Sequence, residues 1–133
     1  MDINPATSDV PLTQLDLRRT NQLLSGKDPQ AIIDWTIMHA RKPVITTNFR
    51  PLSFALVHLV TRIKTDIPVL WVDSGYNTAA TYQFVEEVTR RFSLNLHVYT
   101  PRLTSTRYAA IHGEIPQVGS EEHRQFTQTF KLE

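Results

Sequence analysis

The sequence predicts an α/β fold, an open and mainly parallel sheet flanked by helices. Three observations carry the prediction. Residues 44–47, 69–72 and 94–99 are short apolar or β-branched runs of strand length. The segments between them, residues 51–64 and 78–92, place apolar residues at helical spacing. Residues 69–72 are apolar without alternation, which points to burial on both faces, as parallel strands have. Strand, helix, strand, helix, strand with right-handed crossovers puts the helices on the sheet faces, the Rossmann-like arrangement.

Each element has its own justification. Residues 1–10 are polar and contain proline, an arm rather than an element. Residues 11–25 suit a helix with Leu12, Leu15, Arg19 and Leu23 near one stripe and Gly26 as its stop. Asp28-Pro29 reads as N-cap and first residue of a second helix reaching Ala40, with Ile32, Ile33, Trp35 and Ile37 on its apolar side. Leu52, Ala55, Leu56, Leu59, Val60 and Ile63 line the helix after the first strand, and Asp66-Ile67-Pro68 breaks it. Tyr82, Val85 and Val88 mark the buried side of the next helix. Beyond Pro101 a short helix over residues 103–112 is expected, then a turn-rich stretch, then a helix from Ser120 toward Phe130 with Glu121 and Glu122 in its first turn.

The composition is that of a chain able to bury a core: 133 residues, 41% hydrophobic and 20% charged. A net charge of +1 argues against bulk nucleic-acid or membrane-surface binding. No apolar run is long enough to span a bilayer, and Met-Asp-Ile-Asn-Pro at the start lacks the character of a signal peptide, so the cytoplasm is the expected location. The absence of cysteine removes disulfides, thiolate metal sites and a cysteine nucleophile supplied by these residues. His39, His58, His97, His112 and His123 show no metal-ligand spacing, so no metal site is expected.

Candidate site residues lie where ligands bind in open α/β sheets, at the carboxyl ends of strands. The first loop supplies the hydroxyls of Thr46, Thr47 and Ser53 and the guanidinium of Arg50, ahead of a helix whose free N–H groups can hold an anion. The competing reading is that Thr47 or Asn48 caps this helix, with Pro51 in its first turn. The second loop supplies Asp73, able to accept from a ribose hydroxyl, and Gly75, able to take a positive φ; the competing reading is an Asx turn. Arg102 and Arg107 follow the third strand on the ligand side. Arg90 and Arg91 compensate a helix C-terminus.

Four blocks then resemble one family in order and spacing: Val44-Ile-Thr-Thr-Asn-Phe-Arg-Pro-Leu-Ser, Asp66-Ile-Pro-Val-Leu-Trp-Val-Asp-Ser-Gly-Tyr, Thr81-Tyr-Gln-Phe-Val-Glu-Glu-Val-Thr and Leu94-Asn-Leu-His-Val-Tyr. They resemble the phosphoadenosine phosphosulfate (PAPS) reductases of the adenine-nucleotide α-hydrolase-like superfamily. The likeness runs over residues 28–133, with residues 1–27 an N-terminal arm and helix. It implies that the α/β domain binds an adenine sulfonucleotide, 3′-phosphoadenylyl sulfate or its product adenosine 3′,5′-bisphosphate, in assimilatory sulfate reduction. The residues it assigns to binding are Thr46, Thr47, Asn48, Phe49, Arg50, Ser53, Asp73, Ser74, Gly75 and Thr81. It implies thioredoxin or glutaredoxin as reductant. Phe126 and Thr127 stand where adenylyl-sulfate reductases carry a Cys-Cys pair, which implies no iron–sulfur cluster.

The chain also departs from that pattern. Asn48-Phe49-Arg50 replaces Ser-Phe-Gly, so the loop must take another shape or use the guanidinium. Ala79-Ala80-Thr81-Tyr82 replaces Pro-Glu-Thr-Tyr. The family's cysteine-bearing tail is not among these residues, so the domain reads as partial and catalysis as needing a thiolate from elsewhere. The alternative is a catalytically inactive nucleotide-binding or protein-interaction module derived from the family. A sheet cut at its third strand also predicts self-association.

Overall fold

The computed structural model describes residues 16–131. In chain order these form α1 (Leu17–Leu24), α2 (Pro29–His39), β1 (Ile45–Thr46), α3 (Pro51–Ile63), β2 (Pro68–Val72), α4 (Ala79–Phe92), β3 (Asn95–Tyr99), α5 (Ser105–His112) and α6 (Glu121–Lys131). The expected arm and residues 11–15 of the first helix lie outside the described residues. Within them, Asp16 Oδ1 accepts from the N–H groups of Arg18 and Arg19, and α1 begins after this cap.

Local chemistry fixes most helix starts. Asp28 accepts from Ala31 N at 2.9 Å with Pro29 as the first helical residue. Thr78, Thr104 and Ser120 accept from the N–H groups of Thr81, Arg107 and His123. Each such bond satisfies a donor the helix cannot satisfy internally, worth about 1 kcal/mol. No described helix is long and apolar enough to cross a membrane.

The three strands form one parallel sheet in the order β1-β2-β3, with Ile45 opposite Val69 and Val69 opposite Leu96. Val57 and Val60 of α3 and Val85 and Val88 of α4 join Ile45, Val69 and Trp71 in one core. Phe54 of α3 meets Phe84 and Phe92 of α4. Both crossover helices therefore cover the face that carries Val69 and Trp71. The expectation of burial on both faces fails here. Val69 is 0% exposed, but Val72 is 45% and Tyr99, its neighbour in register, 56%. The order β1-β2-β3 steps twice in one direction, and right-handed crossovers then place both helices on the same side. The third helix that might have covered the other face, α2, packs on α3 instead, with Ile33 against the core. Neither does α1 bury any residue.

A second, separate cluster holds the C-terminal helices. Tyr76 after β2, Tyr108 of α5, and Phe126 and Phe130 of α6 bring their rings together with centroids 4.7 to 5.4 Å apart. Phe130 is 1% exposed. Edge-on aromatic contacts of this kind add about 0.5–1.5 kcal/mol per pair beyond area burial. The cluster ties α5 and α6 to the loop at the end of β2, where the candidate site lies.

Candidate functional site

The loop after β1 is built from two small side-chain bonds. Thr47 N donates to Leu70 O at 3.0 Å, the last rung of the sheet on this side. The Thr47 hydroxyl then accepts from Phe49 N, and Asn48 Oδ1 accepts from Arg50 N, each at 3.0 Å. Thr47 and Asn48 thus brace the turn, and neither caps the helix, which corrects that sequence expectation. Arg50 occupies the cap position and makes no side-chain cap bond. With Pro51 lacking an N–H, the Leu52 and Ser53 N–H groups are left uncapped among the described residues.

The turn bends at Phe49, whose φ is +54°. That conformation costs an L-residue about 1–2 kcal/mol. The Phe49 ring is 3% exposed and lies edge-on to Trp71 at 5.4 Å, and this burial holds it there. Arg50, where the resembling family carries glycine, has φ −72° and ψ 156°, open to any residue. The left-handed residue is Phe49, and so the arginine is accommodated without strain.

The loop after β2 is organised by Asp73. Its backbone N–H continues the ladder to Tyr99 O at 2.8 Å. One carboxylate oxygen, Oδ1, accepts from Gly75 N, Asn77 Nδ2 and Tyr82 Oη, all at 2.9 Å. The bond to Gly75 is the Asx turn considered from sequence. Burial, and then the bond to Asp73, push the Tyr82 phenol above its ordinary value. Burial and the neighbouring Tyr108 do the same to Tyr76. Gly75 has φ +77°, and a Cβ there would stand 2.8 Å from the Ser105 hydroxyl, so this glycine is required both for its backbone and for its contact with α5.

Between the two loops lies a cleft of about 320 Å³, lined by Thr47, Asn48, Arg50, Trp71, Val72, Ser74 and Asn77. It brings together four of the residues singled out from sequence: Thr47, Asn48, Arg50 and Ser74. The other six are not in its lining. Thr46 and Ser53 flank the first loop, and Phe49 is in the core. Asp73 and Gly75 shape the second loop, and the Thr81 hydroxyl faces that of Thr78 at 3.0 Å, at the start of α4. Arg102 and Arg107 are exposed and outside the lining. Trp71, Val72 and Asn77 are additions. The first two were legible as strand residues next to Asp73, and Asn77 gave no signal beyond a polar residue in a turn. The lining thus combines one cation, Arg50, with the polar Thr47, Asn48, Ser74 and Asn77 and the apolar Trp71 and Val72. Among the described residues no three His, Asp or Glu side chains are grouped to hold a metal ion.

The family profile described as phosphoadenosine phosphosulfate reductase domain matches residues 42–133. The chain is 36% identical over 124 residues to the phosphoadenosine 5′-phosphosulfate reductase of Synechocystis sp., covering 92% of this chain and 50% of that protein. Its identity to the reductase of the same description from Shewanella oneidensis is 30% over 128 residues, covering 96% and 52%. The chain thus spans about half the length of the curated relatives it matches. Its fold matches the crystal structure of phosphoadenylyl-sulfate reductase from Candida auris in a phosphate complex, with TM-score 0.76 at 19% identity over 93% of this chain and 61% of that one.

Proposed function

Because the chain belongs to the phosphoadenosine phosphosulfate reductase family, we propose that its cleft binds an adenine sulfonucleotide, 3′-phosphoadenylyl sulfate or the product adenosine 3′,5′-bisphosphate. The observation that carries this reading is that Arg50, which heads the uncapped start of α3, lines the cleft. A guanidinium and free helix N–H groups are complementary to a phosphate or phosphosulfate. Thr47 and Asn48 brace the turn through their oxygens and keep O–H and N–H donors for an anion, Arg50 supplies the charge, and Ser74 offers a further hydroxyl. Thr46, Phe49, Ser53, Asp73, Gly75 and Thr81 act in this reading by shaping the two loops.

Reduction follows the chemistry the family implies. A cysteine thiolate attacks the sulfur of the phosphosulfate; a sulfur–sulfur bond forms, the sulfur–oxygen bond to phosphate breaks, and adenosine 3′,5′-bisphosphate leaves. A thiolate of thioredoxin or glutaredoxin then attacks the cysteine sulfur, releases sulfite and leaves a disulfide. No iron–sulfur cluster takes part. These 133 residues contain no cysteine, so the attacking thiolate comes from outside them. The cytoplasm, where such reductants keep thiols reduced, is the setting that goes with this chemistry.

Calorimetric titration with adenosine 3′,5′-bisphosphate tests the binding step. Saturable heat that weakens tenfold or more in Arg50→Ala is expected, since charged hydrogen bonds contribute about 1.5–3 kcal/mol. No heat at millimolar ligand with folded protein defeats the reading. Arg50 and Ala80, where the resembled pattern has Gly and Glu, favour a second reading, a nucleotide-binding module without catalysis. It predicts the same heat, but no sulfite release when thioredoxin and a cysteine-bearing C-terminal segment of a relative are supplied.

A further inference from the structure

The wall of the cleft opposite Arg50 carries a group whose chemistry is fixed by its neighbours. Asn77 lines the cleft, and its Nδ2 donates to Asp73 Oδ1 at 2.9 Å. An ionised carboxylate only accepts, so the atom facing Asp73 must be the amide nitrogen, and the orientation of the amide follows from its partner. The Asp73 oxygen is itself held in place, because it also accepts from Gly75 N and Tyr82 Oη. What Asn77 has left to present is its oxygen, an acceptor, and one remaining N–H. Asp73 itself lies outside the lining with Oδ1 already receiving three donors.

From this we infer that Asn77 Oδ1 receives a hydrogen-bond donor of the nucleotide, either the exocyclic amine of the base or a ribose hydroxyl, and so sets which nucleoside the cleft accepts. The inference rests on the sulfonucleotide reading given above. It also orients the ligand, with the anionic groups at Arg50 and the donor-bearing nucleoside at Asn77. Val72, 45% exposed, is also in the lining and offers an apolar contact to a base or sugar. Asp73 is the positioning residue, holding the amide by its nitrogen and leaving the oxygen free.

Calorimetry with three ligands tests it: adenosine 3′,5′-bisphosphate, inosine 3′,5′-bisphosphate, which lacks the amine, and 2′-deoxyadenosine 3′,5′-bisphosphate, which lacks the hydroxyl. The unmodified protein should bind one of the two analogues about threefold to tenfold more weakly than the parent, as loss of one hydrogen bond predicts. Which analogue weakens identifies the donor. In Asn77→Ala that difference should vanish, and in Tyr82→Phe, which loosens Asp73 without touching the lining, it should persist. Equal binding of all three ligands by the unmodified protein overturns the inference, and needs no variant to fold. A ratio unchanged in Asn77→Ala also overturns it and assigns Asn77 a merely structural role, while leaving the sulfonucleotide reading intact. No binding of any ligand removes that reading and this inference together.

Discussion

Replacing Phe49 tests the most unusual backbone in the site. The ring is almost fully buried and contacts Trp71, so Phe49→Ala should cost about 3–5 kcal/mol. Phe49→Gly removes the same ring and would ordinarily be worse still, because glycine gains more freedom on unfolding, by about 0.4–1 kcal/mol. At φ +54° the order reverses. Relief of the left-handed conformation returns about 1–2 kcal/mol to glycine and nothing to alanine. The difference of the two terms leaves Phe49→Gly more stable than Phe49→Ala by about 0.5–1 kcal/mol. The neighbouring residue is the control. Arg50 has φ −72°, so Arg50→Ala should be more stable than Arg50→Gly by about 0.4–1 kcal/mol. Urea unfolding followed by tryptophan emission reads all four variants. If Phe49→Ala equals or exceeds Phe49→Gly, the bend is not at Phe49 and the account of how the loop accommodates Arg50 is wrong.

Tyr82→Phe should cost about 1 kcal/mol at neutral pH through the lost bond to Asp73. The phenol is raised above its ordinary value near 10, so its contribution is present in full below pH 10 and is lost as pH rises through the higher folded value; alkaline urea titrations should show a shallower loss in the variant. Gly75→Ala should lower the stability in urea unfolding by about 1–2 kcal/mol for its positive φ alone, with the Ser105 clash in addition. Adding Ser105→Ala should restore only part, because the Ser105 Cβ stands 3.2 Å away and remains; full recovery would show that the backbone conformation costs nothing. The outer edge of β3 and the bare sheet face predict concentration-dependent association in sedimentation, reduced by Val98→Lys, a charge on the edge strand; a monomer at every concentration contradicts this.

What could be read from the sequence was chemistry local to a few residues. Asp28-Pro29, Thr78 and Ser120 each announce a helix start, because capping joins a side chain to an N–H only three residues on. The strands were equally plain, since β-branched runs between helical segments admit little else. The bare sheet face was not visible, because residues 69–72 look the same whichever side the crossovers take. The left-handed Phe49 was hidden too: its conformation is held by Trp71, twenty-two residues on in the chain, and no glycine marks it. For the same reason the union of Tyr76 with Phe126 and Phe130 lies beyond any local pattern. In the site, the sequence pointed to Asp73 by type, but only geometry shows its Oδ1 already taken by Gly75, Asn77 and Tyr82 and the lining passing to Asn77.

Among the described helices, five begin with a side chain of their own closing the first turn: Asp16, Asp28, Thr78, Thr104 and Ser120. Only α3, headed by Arg50, does not. On the proposed reading, an anion bound at this helix start completes it as a side-chain cap would. Occupancy and the integrity of α3 then become one thermodynamic quantity. Slowed amide exchange at Leu52 and Ser53 would report ligand arrival as directly as any heat, and the same two amides would be the first to fray when the ligand leaves.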